Sequence, residues 1–215
     1  MSILKFGSMV ILLISIFYPV QRINAQDNAA DIIRQVKAKL GTPEASFSIL
    51  SVAKCLSPER AYTSKVEGNG DSLSFKQVFP DTDEVIDLRI QGDKGIDGTN
   101  SEPLGDFMIF YGRMHDFVRI ALQPEYFLVE IDSLQKNNEG ITLFGKTVFG
   151  YVAEYKINSD SIPSEFTFYL DDGHFINTIF EFWNTTKEGI KVPKLVRIID
   201  GEKIFTFDYK TVTIN

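Results

Sequence analysis

The stretch SEFTFYLDDGHFINTIFEFW, residues 164–183, contains two aromatic-rich runs on either side of the polar tetrapeptide DDGH. Successive side chains of a β-strand point to opposite faces of its sheet. Phe166 and Phe168 therefore share one face of a first strand, and Phe180 and Phe182 share one face of a second. Asp and Gly favour the tight turns that join antiparallel strands. The stretch thus predicts a hairpin with one large apolar face.

Alternating polar and apolar residues recur through most of the chain and predict further strands. A hairpin is expected around Gly68-Asn69-Gly70-Asp71, and residues 84–91 predict the next strand. After a polar, glycine-rich loop over residues 92–103, the later alternating segments are 142–147, 149–157, 166–170, 175–183, 195–199, 204–209 and 212–214. Their short connections require antiparallel neighbours, because a parallel pair needs a long crossover. Many such strands twist and curl, so the sheet has a concave face.

Three segments show helical spacing of apolar residues instead. Residues 29–40 predict an N-terminal helix that ends at Gly41. A short second helix is expected to begin at Thr42-Pro43-Glu44 and to end near Ser57-Pro58. Residues 104–124 predict an inserted helical segment, whose apolar positions are Phe107, Met108, Tyr111, Met114, Phe117, Val118 and Ala121. Its aromatic and Met side chains indicate either a ligand-facing lid or an ordinary core stripe.

Together these elements predict an α+β fold in which the N-terminal helix and the inserted helical segment cover a strongly curved antiparallel sheet. The concave apolar face either packs against the helices or lines a cavity between helices and sheet. For a cavity, the candidate lining residues are Phe107, Met108, Tyr111, Met114, Phe166, Phe168, Phe180 and Phe182. The opposite strand faces carry Thr167, Tyr169, Ile179 and Glu181. Their polar and charged members disfavour an inward orientation of those faces.

Residues 1–25 have the features of a secretory signal peptide. Lys5 precedes the uncharged run 9–20, and Ala25 suits the position before a cleavage site. This run of about 12 residues is shorter than the roughly 20 that span a bilayer, which disfavours the alternative of an uncleaved membrane anchor. A lipoprotein would have a Cys directly after the cut, where this chain has Gln26. We therefore expect an exported, soluble protein in which residues 26–215 form one domain.

The charge of the chain argues against nucleic acid as a partner. The formal net charge is −7, and removal of residues 1–25 takes away Lys5 and Arg22 but no acidic residue, which gives about −9. An acidic protein repels phosphate backbones, and the sequence has no cluster or stripe of Lys and Arg.

The sequence also lacks the usual signatures of catalysis and of metal binding. His115 falls in the inserted helical segment and His174 in a hairpin turn, without the spacing that metal ligands show. The single cysteine, Cys55, excludes an internal disulfide, and its apolar neighbours favour a buried thiol over a reactive one. A hydrolase with two carboxylates that converge in space is the remaining enzymatic alternative. We expect a non-catalytic protein that has no cofactor and no metal.

Two regions carry a resemblance to a known family. The C-terminal segment EGIKVPKLVRIIDGEKIFTFDYKTVTIN has Val192-Pro193 opening a strand, a turn at Asp200-Gly201 and a last strand ending at Ile214-Asn215. The central FGYVAEYKINSD is followed by FTFYLDDGHFI, which forms hairpin patterns of the same kind. With the signal peptide, the entering helix and the inserted helical segment, they resemble the periplasmic lipoprotein carriers of the LolA-like fold.

This resemblance implies an unclosed β-barrel plugged by helices. It further implies a soluble periplasmic carrier that shields a lipid or the acyl chains of a lipoprotein, and a transient membrane-associated donor or acceptor protein. The alternative is an envelope sensor or protein-interaction module with a filled core. For that alternative, the alternating residues Phe205, Phe207 and Tyr209 would form either an exposed edge strand or a central strand.

Overall fold

The computed structural model describes residues 25–44, 46–170 and 172–215. The predicted signal peptide lies outside these residues except for Ala25, which is the first residue of the N-terminal helix. Asp171 of the predicted hairpin turn also lies outside them. Within the described part of the chain, none of the helices has the length and apolar character needed to cross a membrane.

The described residues form three α-helices, one 3₁₀ turn and twelve strands. The helices are α1 (Ala25–Leu40), α2 (Asp106–Met114) and α3 (Phe117–Leu122), and the 3₁₀ turn is Pro124–Tyr126. The strands are β1 (Ser48–Leu56), β2 (Ala61–Asn69), β3 (Ser72–Phe79), β4 (Glu84–Gln91), β5 (Lys94–Asp97), β6 (Leu128–Asn137), β7 (Gly140–Thr147), β8 (Val152–Asn158), β9 (Pro163–Tyr169), β10 (Phe175–Thr185), β11 (Lys191–Asp200) and β12 (Lys203–Ile214).

All twelve strands belong to one antiparallel sheet in the order β5-β4-β3-β2-β1-β12-β11-β10-β9-β8-β7-β6. Two meanders, β1 to β5 and β6 to β12, are joined where the first strand pairs with the last. For example, Ile49 lies opposite Ile214. The ends of the sheet are β5 and β6, so the barrel is not closed. The predicted antiparallel sheet with helices is confirmed, and β12 is a central strand rather than an edge.

The predicted second helix, from Thr42 to about Ser57, is wrong, because most of this region forms β1. The β-branched residues Ile49 and Val52 favour a strand, and pairing with both β2 and β12 outweighs the helical spacing of the apolar residues. Side chains of β1 alternate between buried and more exposed positions. Cys55 is buried, as predicted, and its burial raises the pKa of the thiol.

Three further differences concern the ends of the sheet and its last strand. The predicted loop 92–103 contains the short strand β5, and the edge strand β6 was not predicted at all. Two register shifts interrupt the pairing of β6 with β7, and most β6 side chains are not buried, so the strand lacks a clear alternating pattern. The predicted segments 204–209 and 212–214 form one strand, with a register shift opposite Val52 and Ala53.

The helices contact different parts of the sheet. Helix α1 packs against β6, α2 against β3 and β4, and α3 against β1 and β11. Gly112 brings α2 close to β4, because a Cβ there would lie 2.7 Å from Cδ1 of Ile90. The hydroxyl of Tyr155 on β8 donates to the carbonyl of Ala121 on α3 at 2.9 Å. The inserted helices are therefore held between the two meanders, over the buried face of the sheet.

Candidate functional site

A cavity of about 360 Å³ lies between α2 and strands of the second meander. From α2, the side chains of Phe107, Phe110, Tyr111 and Met114 face it, at positions i, i+3, i+4 and i+7 of one helical face. The other lining residues are Tyr62, His115, Phe117, Phe168, Leu170, His174, Ile176, Thr178, Ile198, Asp200, Phe205 and Phe207. The wall is predominantly aromatic and aliphatic, which is the composition of sites for apolar ligands.

Strand alternation brings the sheet residues to this cavity. Ile176 and Thr178 are two residues apart on β10, and Phe205 and Phe207 are two residues apart on β12, so each pair points to the same side of the sheet. Edge-to-face aromatic contacts hold the helices against this wall. The ring centroids of Phe110 and Phe168 lie 5.6 Å apart, and those of Phe117 and Phe207 lie 5.0 Å apart.

A larger groove of about 670 Å³ runs along β2 to β5, but its lining has a different character. It includes the charged residues Glu67, Arg89 and Lys94 beside several serines. Such a surface offers an apolar ligand little shelter from water. We therefore assign the candidate site to the smaller aromatic cavity.

Four of the eight predicted lining residues border the cavity: Phe107, Tyr111, Met114 and Phe168. The other four do not line it. Phe166 and Phe180 are buried in the main hydrophobic core, and Met108 packs on the far side of α2 against the smaller core formed with β2 to β4. Phe166 and Phe180 lie on a buried apolar face of the sheet where other core side chains cover them, whereas Met108 is on the opposite side of α2 from the cavity and is only partly buried.

The placement of Phe182 on the inner face is wrong. Its side chain is 72% exposed, whereas Phe180 on the same strand is 4% exposed. The backbone at Phe182 has a φ of 51°, and the residue has no partner in the register between β10 and β11. This irregularity breaks the alternation on which the prediction relied, so the ring points into solvent.

Several lining residues were not predicted. Phe205 and Phe207 show the same alternating pattern as Phe166 and Phe168, but they were considered only as parts of a strand that binds another protein. His115 was considered only as a metal ligand, and its position next to Met114 at the end of α2 was the available signal. Among the described residues, no three His, Cys, Asp or Glu side chains are grouped so that they could hold a metal ion.

One end of the cavity reaches the rim of the barrel. Phe107 is 70% exposed, and the half-exposed side chains of His174 and Asp200 hydrogen-bond each other between the β9–β10 and β11–β12 turns. This end of the sheet also carries a set of exposed apolar residues at or beside strand ends, here called the apolar rim: Leu56, Val85, Val148, Val152, Phe175 and Ile204. By strand alternation, Phe175 and Ile204 lie on the opposite face of the sheet from Ile176 and Phe205, so the apolar rim is on the outer face at the end where the cavity is exposed.

The part of the cavity wall around the C-terminal end of α2 is more enclosed than the end at Phe107 and consists mainly of aromatic rings. The imidazole of His115 packs against the rings of Phe75, Tyr111 and Phe207, with centroid distances of 5.0, 4.2 and 5.9 Å. Burial lowers the pKa of His115 to about 4, so the ring is neutral at physiological pH. Burial also raises the pKa of the Tyr111 phenol, whose hydroxyl donates to Oε1 of Gln77 at 3.0 Å.

No family model and no curated protein matches the sequence. By structure, the chain is similar to a LolA superfamily protein from Nitrosomonas europaea, with a TM-score of 0.58 and 14% identity over 86% of this chain and 92% of that chain. A DUF1329 family protein from Desulfovibrio piger gives a TM-score of 0.56 and 11% identity over 87% of this chain and 92% of that chain.

A third similar structure is a domain from Vibrio parahaemolyticus named as an outer membrane lipoprotein-sorting protein. Its TM-score is 0.53, with 11% identity over 86% of this chain and 91% of that chain. All three alignments cover most of both chains, so they compare whole domains rather than shared hairpins. Combined with the unclosed twelve-stranded sheet and its inserted helices, they establish that this chain has the LolA-like fold that its sequence resembles.

Proposed function

We propose that this protein is an exported, soluble periplasmic carrier that binds a hydrophobic ligand, a lipid or an acyl chain of a lipoprotein, without transforming it. The mature protein would be residues 26–215, a single domain. The observation that carries the proposal is the cavity of about 360 Å³ whose wall is formed by aromatic and aliphatic side chains of α2 and four strands of the second meander. The fold shared with a lipoprotein-sorting domain also supports a carrier function.

The size of the cavity favours one hydrocarbon chain over several. Ligand pockets typically enclose roughly 300–1,000 Å³, and about 360 Å³ lies near the lower limit. Each methylene group transferred from water to an apolar wall contributes about 0.8 kcal/mol. A single chain of membrane-lipid length therefore gains enough free energy for binding that remains reversible.

The apolar rim is the surface that we assign to a donor or acceptor protein. It lies at the same end of the sheet as the exposed part of the cavity, so a partner docked there would be close to the place where a ligand enters or leaves. The turns and strand ends here carry the acidic residues Asp81, Asp83, Glu84, Asp200 and Glu202 against the basic residues Arg60 and Lys203, and Arg60 pairs with Glu84. These charges favour a partner with basic side chains around an apolar patch, and they oppose direct contact with an anionic lipid surface.

The first test is native mass spectrometry of the mature protein, purified without detergent from the periplasm of an expressing bacterium. We expect a bound species of lipid mass at near-stoichiometric occupancy, and extraction then identifies its class. A protein that is empty and also fails to bind the apolar fluorophore N-phenyl-1-naphthylamine would contradict the carrier proposal. That result would favour the protein-interaction alternative.

The second test fills the cavity by mutation. Phe168→Trp enlarges a side chain of the wall, and we expect it to lower the affinity for the fluorophore at least about tenfold while the protein stays folded. In a fully packed core, the same change would cost about 1–3 kcal/mol of unfolding free energy through overpacking. Met114→Trp repeats the test from the helix side, and Phe182→Trp is the control because that side chain is exposed.

A further inference from the structure

The imidazole of His115 has one nitrogen engaged and one available. Nδ1 lies 2.7 Å from the carbonyl oxygen of Tyr111, one helical turn earlier. A carbonyl oxygen only accepts hydrogen bonds, so Nδ1 carries the hydrogen. In a neutral ring, Nε2 then has a free lone pair and acts as an acceptor. The lowered pKa of His115 is consistent with this neutral form.

Nε2 faces away from the helix carbonyl that Nδ1 contacts, because the two nitrogens lie on different edges of the ring. The His115 ring forms part of the cavity wall, between the rings of Tyr111 and Phe117. The hydrogen bonds of the described residues leave Nε2 without a protein donor. An acceptor in an apolar environment costs free energy when it has no donor, so a ligand that supplies one is favoured.

Gln77, which does not line the cavity, engages the phenol of Tyr111 behind this part of the wall. Its side chain is fully buried, and its Oε1 accepts from Tyr111, whose ring stacks beside His115. Its Nε2 has no acceptor among the described residues. Because the Tyr111 hydroxyl is engaged with Gln77, a ligand hydroxyl or N–H placed beside these rings would meet Nε2 of His115 as its acceptor.

We propose that the cavity selects apolar ligands that carry an uncharged hydrogen-bond donor, a hydroxyl or an amide N–H, and that Nε2 of His115 accepts this hydrogen bond. The inference rests on the proposed function, because it concerns the ligand of the same cavity. It adds a specificity that an apolar wall alone does not have, since hydrocarbon contacts distinguish ligands only by size and shape.

The test compares ligands that differ only in the donor. Dodecan-1-ol, dodecanamide and 1-methoxydodecane have chains of equal length, but the ether has no donor. Each displaces N-phenyl-1-naphthylamine from the folded wild-type protein in a fluorescence titration. We expect the alcohol or the amide to bind about fivefold more tightly than the ether, as one hydrogen bond predicts. The stronger of the two identifies the donor type.

A matched variant assigns the preference to His115. His115→Phe keeps an aromatic ring in the wall but removes the acceptor, and we expect the three affinities to become equal. The control is Tyr169→Phe, which removes a hydroxyl that bonds Glu154 outside the cavity and should leave the preference intact. A preference that persists in His115→Phe would overturn the assignment to this residue.

The wild-type titration separates the two proposals even if the variant does not fold. Equal displacement by all three ligands would overturn the donor specificity and leave the carrier proposal standing. No binding of the fluorophore and no displacement would overturn both. A clear preference of the wild-type protein for the alcohol or the amide supports both.

Discussion

The carboxylate Oδ2 of Asp116 lies 3.0 Å from Nε of Arg119, and both side chains are almost completely buried. The other carboxylate oxygen of Asp116 accepts from the backbone N–H of Arg119 at 3.3 Å and so caps α3. A Cβ at Gly68 on β2 would lie 3.0 Å from both side chains. The ion pair therefore fixes the corner between α2 and α3 directly against the first meander.

Replacing Asp116 with Asn removes the negative charge but keeps an oxygen that can cap α3. The guanidinium of Arg119 then stays buried without a compensating charge, and its Nη2 already has no hydrogen-bond partner among the described residues. We expect the free energy of unfolding, measured with urea, to fall by about 3–5 kcal/mol. Asp31→Asn is the control, because the Asp31–Arg34 pair is exposed. Equal effects of both variants would contradict a role for burial.

Stability should fall in mild acid because of His115. Burial lowers its folded-state pKa from 6.5 to about 4, so between these values the unfolded chain binds the extra proton. The contribution of the neutral His115 imidazole to the free energy of unfolding is fully present above pH 6.5. It is lost as the pH falls towards 4, by at most about 1.4 kcal/mol per pH unit. Urea unfolding of wild type and His115→Phe between about pH 7 and about pH 4.5 tests this. Parallel decreases in both proteins would rule out His115 as the cause.

Gly145 on β7 packs directly against the edge strand β6. A Cβ at this position would overlap the carbonyl oxygen of Glu130, at the irregular part of the β6–β7 pairing. We expect Gly145→Ala to separate the two strands and to lower the free energy of unfolding by more than about 2 kcal/mol. Gly105→Ala is the control, since its φ is −75° and nothing lies within 4 Å of the added carbon. A similar loss in both variants would argue against this close contact.

The apolar rim should affect loading rather than affinity. Leu56→Ser combined with Ile204→Ser removes two exposed apolar side chains from the rim, so the stability and the affinity for the fluorophore should change little. If a donor protein docks there, native mass spectrometry of protein taken from the periplasm should find at least about twofold lower ligand occupancy than in wild type. Phe182→Ser, which removes an exposed apolar side chain elsewhere, should leave the occupancy unchanged. Unchanged occupancy in the double variant would argue against docking at the rim.

Local sequence predicted the hairpins well. The predicted strand 84–91 coincides with β4, and the turns after Asn69 and after Asp200 join the expected strands. Alternation and turn chemistry are properties of a few neighbouring residues, which is why they can be recognised without the rest of the chain. The edge strand β6 escaped prediction because its side chains are mostly exposed and its bulges shift the pattern.

The candidate site was predicted only in part, because the sequence shows which face of a strand is apolar but not which side chains cover it. Alternation correctly placed Phe166 and Phe168 on one buried face, but only Phe168 borders the cavity. The face of a strand is a local property, whereas the group that covers each position depends on where α2 docks. Likewise, only the folded chain brings Phe205 and Phe207 from the last strand to the same wall.

The sequence by itself determined that this protein is built from antiparallel hairpins with one apolar face, together with a helix at the start and a helical insertion. Side-chain periodicity and turn residues encode these features locally. Only the tertiary structure decided that β1 is a strand paired with β12 and that Phe182 points outward. It also decided that His115 enters an aromatic wall, because pairing, bulges and helix docking depend on contacts between residues far apart in the chain.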